Sequence, residues 1–287
     1  MKENRKKGYV FLIITFILWG SLYVVSKYVL GKMPTFTISF FRFVLAFLAS
    51  SIITGKTEKK IEKQDYKYIL LIGVAGYFIA VGAQLLGTKY AGASMASLIN
   101  SMNPVTMTIF GAILLKEKLN MRKIAGIILA VAGVYAILGN GAKTGAAGII
   151  LSIFSVILWS VVSVFTRKIT QKYDSLQVTR YGTGIAAICY LPVCVLELLT
   201  GETVRLDGSC IISLLYMGII CTGAAYFLWN KSLSVLEAGT CSAFYPIQPL
   251  VSTILGIIVL HEKVDISFFI GAIFIVAGVF INLKGSR

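Results

Sequence analysis

The sequence predicts an all-α integral membrane protein of ten transmembrane helices, built as two inverted five-helix repeats. Three observations predict it. Hydrophobic residues make up 57% of the 287 residues and charged residues only 14%, where soluble domains carry about 25% charged residues. The apolar residues fall into ten runs of about 20, the length that crosses a hydrocarbon core about 30 Å thick. The second half also repeats the first. A shift of 145 carries Pro104 to Pro249, Gly111 to Gly256, Glu117 to Glu262 and Lys118 to Lys263. The same shift carries Gly126 to Gly271 and Ala132-Gly133 to Ala277-Gly278. Five is odd, so two copies of a five-helix unit enter the bilayer in opposite orientations. Many transporters open alternately to either side through such inverted repeats. One membrane domain is expected, with a first repeat over 1–140 and a second over 141–287.

The runs lie at 8–30, 35–54, 66–88, 92–115, 121–139, 145–166, 175–199, 209–230, 238–260 and 266–283. The first is too long for a signal-peptide core and lacks a small-residue cleavage site, so it is expected to be the first span. The longest polar connection, Gly55 to Gln64, is too short for a soluble domain. With the amino terminus inside, nineteen Lys and Arg fall on the cytoplasmic side and five outside. By the positive-inside rule both termini are cytoplasmic, in the cell membrane. The net charge of +15 is thus a topology signal with some affinity for lipid headgroups, and nucleic acid is not an expected partner.

Chemistry is excluded next. The five cysteines, Cys189, Cys194, Cys210, Cys221 and Cys241, show no metal-ligand spacing, and His261 is the one histidine. No metal or cofactor is expected, and the cysteines are read as small packing residues. No catalytic nucleophile or paired acid is visible, so the chain is not read as an enzyme. Carboxylates avoid the bilayer midplane, because Glu117, Glu197, Glu237 and Glu262 lie near run ends. Glu117 and Glu262 sit where the helix macrodipole disfavours negative charge. Each is either a tie for a short turn, through Lys118, Lys123, Lys263 or the start of the next helix, or a gating contact.

Pro104 and Pro249 interrupt the fourth and ninth helices, freeing the carbonyls of Asn100 and Tyr245. These are static kinks or hinges beside a cavity. Polar and aromatic residues cluster around them in matched positions. Gln84 answers to Trp229, Asn100 to Tyr245, Asn103 to Gln248 and Tyr77 to Thr222 under the 145 shift, and Trp19 to Trp159 under a shift of 140. Tyr77 shares a helix face with Gln84, as Tyr226 does with Asn230. Amides avoid lipid, so this set reads either as interhelical glue or as a cavity lining. Arg42 and Arg180 correspond under a shift of 138. Each either snorkels to the interface or turns inward to a substrate carboxylate or a gate. Gly-bearing helices five and ten are expected to be scaffold.

Leu18-Trp19-Gly20-Ser21, Phe40-Phe41-Arg42 and the two P-x6-G-x5-E-K helices with their A-G partners resemble the EamA family of the drug/metabolite transporter superfamily. The second copy departs from the first at Trp159-Ser160-Val161 and Thr179-Arg180. The resemblance implies ten helices, a central cavity and movement of small organic metabolites, often outward and often amino acids or related compounds. The residues fit a neutral or zwitterionic metabolite, which rings and amides can hold without a charge partner. Proton-coupled export of organic cations is an alternative weakened by the missing membrane acid, and a lipid-flipping protein is another. A small-molecule substrate and membrane lipids are the expected partners. Oligomeric state is left open.

Overall fold

The computed structural model describes residues 2–53, 59–115, 119–139, 145–201, 204–236, 238–264 and 266–284. Among these, every regular element is helical. Helices α1 (Lys2–Leu30) and α2 (Thr35–Ile53) form the first two runs. The third run comprises α3 (Tyr66–Leu70), a π-helical stretch (Leu71–Ala80) and α4 (Val81–Ala91). The fourth is divided into α5 (Ala93–Asn100) and α6 (Asn103–Leu115). Then come α7 (Met121–Gly139), α8 (Ala146–Thr170) and α9 (Ser175–Leu199). The eighth run repeats the third, with α10 (Gly208–Leu215), a π stretch (Tyr216–Ala224) and α11 (Ala225–Val235). The ninth is divided into α12 (Ala238–Ser242) and α13 (Ile247–Leu260), and α14 (Ile266–Lys284) closes the chain.

Seven helical stretches among the described residues are long and apolar enough to cross a membrane. Large apolar side chains such as Ile52, Leu199, Leu250, Ile128 and Ile273 stand exposed along the helices, as lipid-facing surfaces require. Hydroxyl groups point inward and bond within their own helices. Ser39 donates to the Thr35 carbonyl, Ser152 to Gly148 and Thr183 to Thr179. A hydroxyl satisfied by its own helix can be buried at little cost where water is absent.

The packing separates scaffold from centre. Helix α1 lies against α11 and α13, α4 against α8, and α2 against α9 and the second π stretch. Helix α7 pairs chiefly with α14. A Cβ on Gly126 would stand 2.6 Å from the Gly278 carbonyl, and one on Gly278 would stand 2.6 Å from the Gly126 carbonyl. A Cβ on Gly133 would meet the Gly271 carbonyl at 2.9 Å. Only glycine lets the two backbones cross this closely.

Both helix breaks fall at the predicted prolines, and each is repaired differently. Pro104 leaves the Asn100 carbonyl without its helical donor, and the Asn103 side chain supplies one at 2.7 Å. In the second half the Tyr245 carbonyl freed by Pro249 accepts from the Gln248 N–H at 3.0 Å, in a tightened turn. Pro246 frees Ser242, whose carbonyl accepts from the Tyr245 N–H at 3.2 Å.

Glu262 corrects an expectation about its lysine neighbours. Its carboxylate accepts from the N–H groups of Ala93 (2.7 Å) and Ser94 (3.1 Å) and from the Ser94 hydroxyl (2.6 Å). It therefore caps the positive start of α5, 169 residues away in sequence, an end where negative charge is favoured. Gly92 makes the approach possible: its φ is +88°, and a Cβ there would meet the Glu262 oxygen at 2.9 Å. Glu197 does the same for α2, accepting from the N–H groups of Phe36 (3.0 Å) and Thr37 (2.7 Å). Glu117 lies outside the described residues.

Candidate functional site

Helices from both halves converge on a small cavity at the level of the two breaks. Trp19 and Leu22 reach it from α1, Arg42 from α2, Gln84 from α4 and Asn100 from the end of α5. Ser155 and Trp159 enter from α8, Tyr226 from α11 and Gln248 from the start of α13. A second cavity, beside Tyr23, Ser26 and Thr88, shares Leu22, Arg42 and Gln84 with the first. The central space is about 20 Å³, room for about one water. The central space is thus far too small for a metabolite.

Aromatic side chains make one wall. The Trp19 and Trp159 ring centroids are 5.9 Å apart and nearly perpendicular, and Tyr226 packs 5.7 Å from each. Edge-to-face contacts of this kind suit ring quadrupoles. Tyr77 stacks on Trp159 at 6.1 Å and leans on Tyr226 at 4.6 Å. Trp229 packs 5.6 Å from Trp19 and 5.9 Å from Tyr245. Two of the indole N–H groups are satisfied: Trp19 donates to the Cys221 carbonyl at 3.2 Å and Trp159 to the Tyr245 hydroxyl at 2.8 Å. The ring wall is thereby fixed in orientation.

Amides make the facing wall. Asn100 Nδ2 donates to Gln248 Oε1 at 2.8 Å, tying the two broken helices together. One turn along the same crossing, the Ser97 and Ser252 hydroxyls are hydrogen-bonded. Gln84 donates to the Tyr23 hydroxyl. Gln248 is 1% exposed, and its Nε2 has no hydrogen-bond partner among the described residues.

Arg42 corrects the snorkelling alternative. It is 2% exposed and borders both cavities. Its Nε donates to Thr222 Oγ1 and its Nη2 to the Tyr226 hydroxyl at 3.4 Å. The Thr222 hydroxyl in turn donates to the Met217 carbonyl, five residues back in the π stretch, at 2.7 Å. That wider helical turn places Thr222 under the guanidinium. No carboxylate among the described residues pairs with Arg42.

The remaining predicted residues lie off the cavity wall. Tyr77, Trp229 and Tyr245 stand behind it, in the ring cluster. Asn103 is fully buried, and its amide serves its own chain: Nδ2 bonds the Asn100 carbonyl and Oδ1 accepts from Ser160 at 2.9 Å. It was expected beside a cavity, but the break one residue later claims its donor. Asn230 donates to Thr179 Oγ1 at 2.9 Å, joining α11 to α9. Arg180 is half-buried, its guanidinium 4.9 Å from the Tyr181 ring, and does not border the cavity. Sequence reasoning missed Leu22 and Ser155. Nothing marks Leu22, and Ser155, whose hydroxyl donates to the Ala80 carbonyl at 2.7 Å, reads like any helix serine.

Lipid-length helices packed about a chamber of rings and amides mark a multi-pass membrane protein. The profile of the EamA-like transporter family matches residues 6–139 and again residues 146–284, and the chain belongs to that family. An uncharacterized transporter of Archaeoglobus fulgidus is 27% identical over 97% of this chain and 98% of its own. A probable amino-acid metabolite efflux pump of Salmonella typhimurium is 26% identical over 99% of this chain and 97% of its own. Its Escherichia coli counterpart by name is 25% identical over the same shares. One solved structure superposes with a TM-score of 0.70 over 97% of each chain at 20% identity, which bears on the fold alone.

Proposed function

We propose that the protein is a secondary transporter that carries a small neutral or zwitterionic, amino-acid-like metabolite out of the cell by alternating access. The observation that carries this reading is the small central cavity, walled by rings and amides, where helices of both halves meet. A chamber of about 20 Å³ holds no metabolite, since ligand sites span about 300–1,000 Å³. Substrate enters only when one side of the bundle opens. In this reading the chain crosses the cytoplasmic membrane ten times as two inverted five-helix repeats, with both termini inside.

Several observations support the two-repeat arrangement. The contact of Gly126 with Gly278 becomes that of Gly271 with Gly133 when both members shift by 145. The π stretches begin at Leu71 and Tyr216, again 145 apart. The family profile matches twice in succession. Outward flux is supported by the efflux pumps among the relatives. Proton-coupled export of organic cations is disfavoured, because no acid lines the cavity and Glu197 and Glu262 are committed to helix ends.

A ligand screen on the purified protein tests the reading. A bound ligand at 100 times its dissociation constant stabilises by about 2.7 kcal/mol, so amino acids, nucleobases, sugars and amines separate by thermal shift. Compounds that stabilise should then leave preloaded proteoliposomes faster than from protein-free ones. Stabilisation by hydrophobic amines alone contradicts the reading.

A further inference from the structure

Arg42 is more expensive than any structural role requires. A guanidinium in the membrane interior is costly to insert. The groups that meet it are neutral, the hydroxyls of Thr222 and Tyr226. A neutral side chain of similar length would fill the same volume without that cost, because buried charge is weak as a stabiliser. The cation faces the cavity, and the same cavity wall holds a donor with no partner among the described residues, Gln248 Nε2. Two buried donors, one of them permanently charged, converge on one small space that contains no acid.

We propose that Arg42 and Gln248 form a carboxylate subsite, so that the transported compounds are small organic acids recognised by a carboxylate. This deepens the transport reading above and rests on it. The guanidinium presents paired N–H donors to a carboxylate, and Gln248 Nε2 donates to one of its oxygens. The Trp19, Trp159 and Tyr226 rings receive the apolar body of the compound. No lining acid meets an ammonium group, so the amino group of an amino acid contributes little. Amino acids and the corresponding deaminated acids are therefore both ligands, while amides and amines are not. The substrate also supplies the anion that neutralises Arg42, which makes the empty carrier the costlier state and favours exchange of one acid for another.

The test uses the full-length purified protein and two series of probes. One comprises leucine, leucinamide, 3-methylbutylamine and 4-methylpentanoate, and the other serine, serinamide, ethanolamine and 3-hydroxypropanoate. Thermal stabilisation and proteoliposome exchange are read for each compound. In at least one series the amino acid and the deaminated acid should bind about tenfold or more tightly than the amide and the amine, as expected when a buried charge loses its partner. R42Q should abolish that preference with the unliganded melting temperature retained, and Q248L should weaken it. If R42Q does not fold, the wild-type series alone decides. An amide as effective as its amino acid, or a preference that survives in R42Q, overturns the carboxylate subsite and leaves the transporter reading standing. Silence from every compound overturns both the subsite and the amino-acid-like substrate class.

Discussion

Arg42 and Arg180 occupy corresponding places in the two halves, yet only one of them enters the centre. Each belongs to a helix that packs against the π stretch of the other half, α2 on residues 216–224 and α9 on residues 71–80. The difference lies in what each π stretch presents. Thr222 is small, and the guanidinium of Arg42 fits over its hydroxyl. The corresponding residue, Tyr77, fills its place with a ring so close to α9 that a Cβ on Gly182 would meet it at 2.7 Å. Arg180 is left half-buried beside Tyr181, while Asn230 bonds Thr179. A duplicated cation thus sits in two different surroundings, and the residue facing it differs between them.

The largest expected effect breaks that comparison directly. R42Q should cost substrate binding about 2–5 kcal/mol, the loss seen when one member of a buried charge pair is removed. R180Q should change affinity by less than about threefold, in keeping with a residue outside the cavity. Binding and exchange of leucine or serine by both variants checks the contrast, and equal losses would refute it. T222Y copies the other half into this one. The new ring should displace the guanidinium, destabilise the protein by about 1–3 kcal/mol through overpacking and remove binding, as read by melting temperature and ligand shift together.

The paired helix breaks give a smaller effect. N103A should lower stability by about 1–3 kcal/mol, because it leaves the Asn100 carbonyl buried and unpaired, with ligand affinity nearly unchanged. Q248A should weaken ligand binding and also lower stability, since Asn100 Nδ2 loses its acceptor although backbone N–H groups still repair the break at Pro249. Smallest is E262Q, which weakens the cap on α5 by about 0.5–1 kcal/mol. A melting curve without ligand detects it, and an unchanged curve would argue against the cap.

The helices were legible because apolar runs and the positive-inside bias are direct consequences of the bilayer. The breaks at Pro104 and Pro249 were legible because proline has no N–H. Their repair was less so: Asn103 looked like a cavity residue, although an amide one residue before a helix-breaking proline is well placed to serve the freed carbonyl. Arg42 stayed open between snorkelling and an inward role, because its distance from the helix end says nothing of whether a neighbour leaves room inward. The deciding neighbour, Thr222, lies 180 residues away, on a π stretch that no periodicity announced. Glu262 was sought near its own lysines and found its partners on α5, because a helix start offers several N–H donors at once.

Access to the centre from both sides of the membrane tests the account most directly. Ser155 borders the cavity and is small and buried, so S155C in a cysteine-free background places a thiol there with little disturbance. Membrane-impermeant thiol reagents should label it from outside in intact cells and from inside in inverted vesicles, and a transported ligand should slow both reactions. Labelling from one side only, or from neither under any condition, would contradict a chamber that opens alternately.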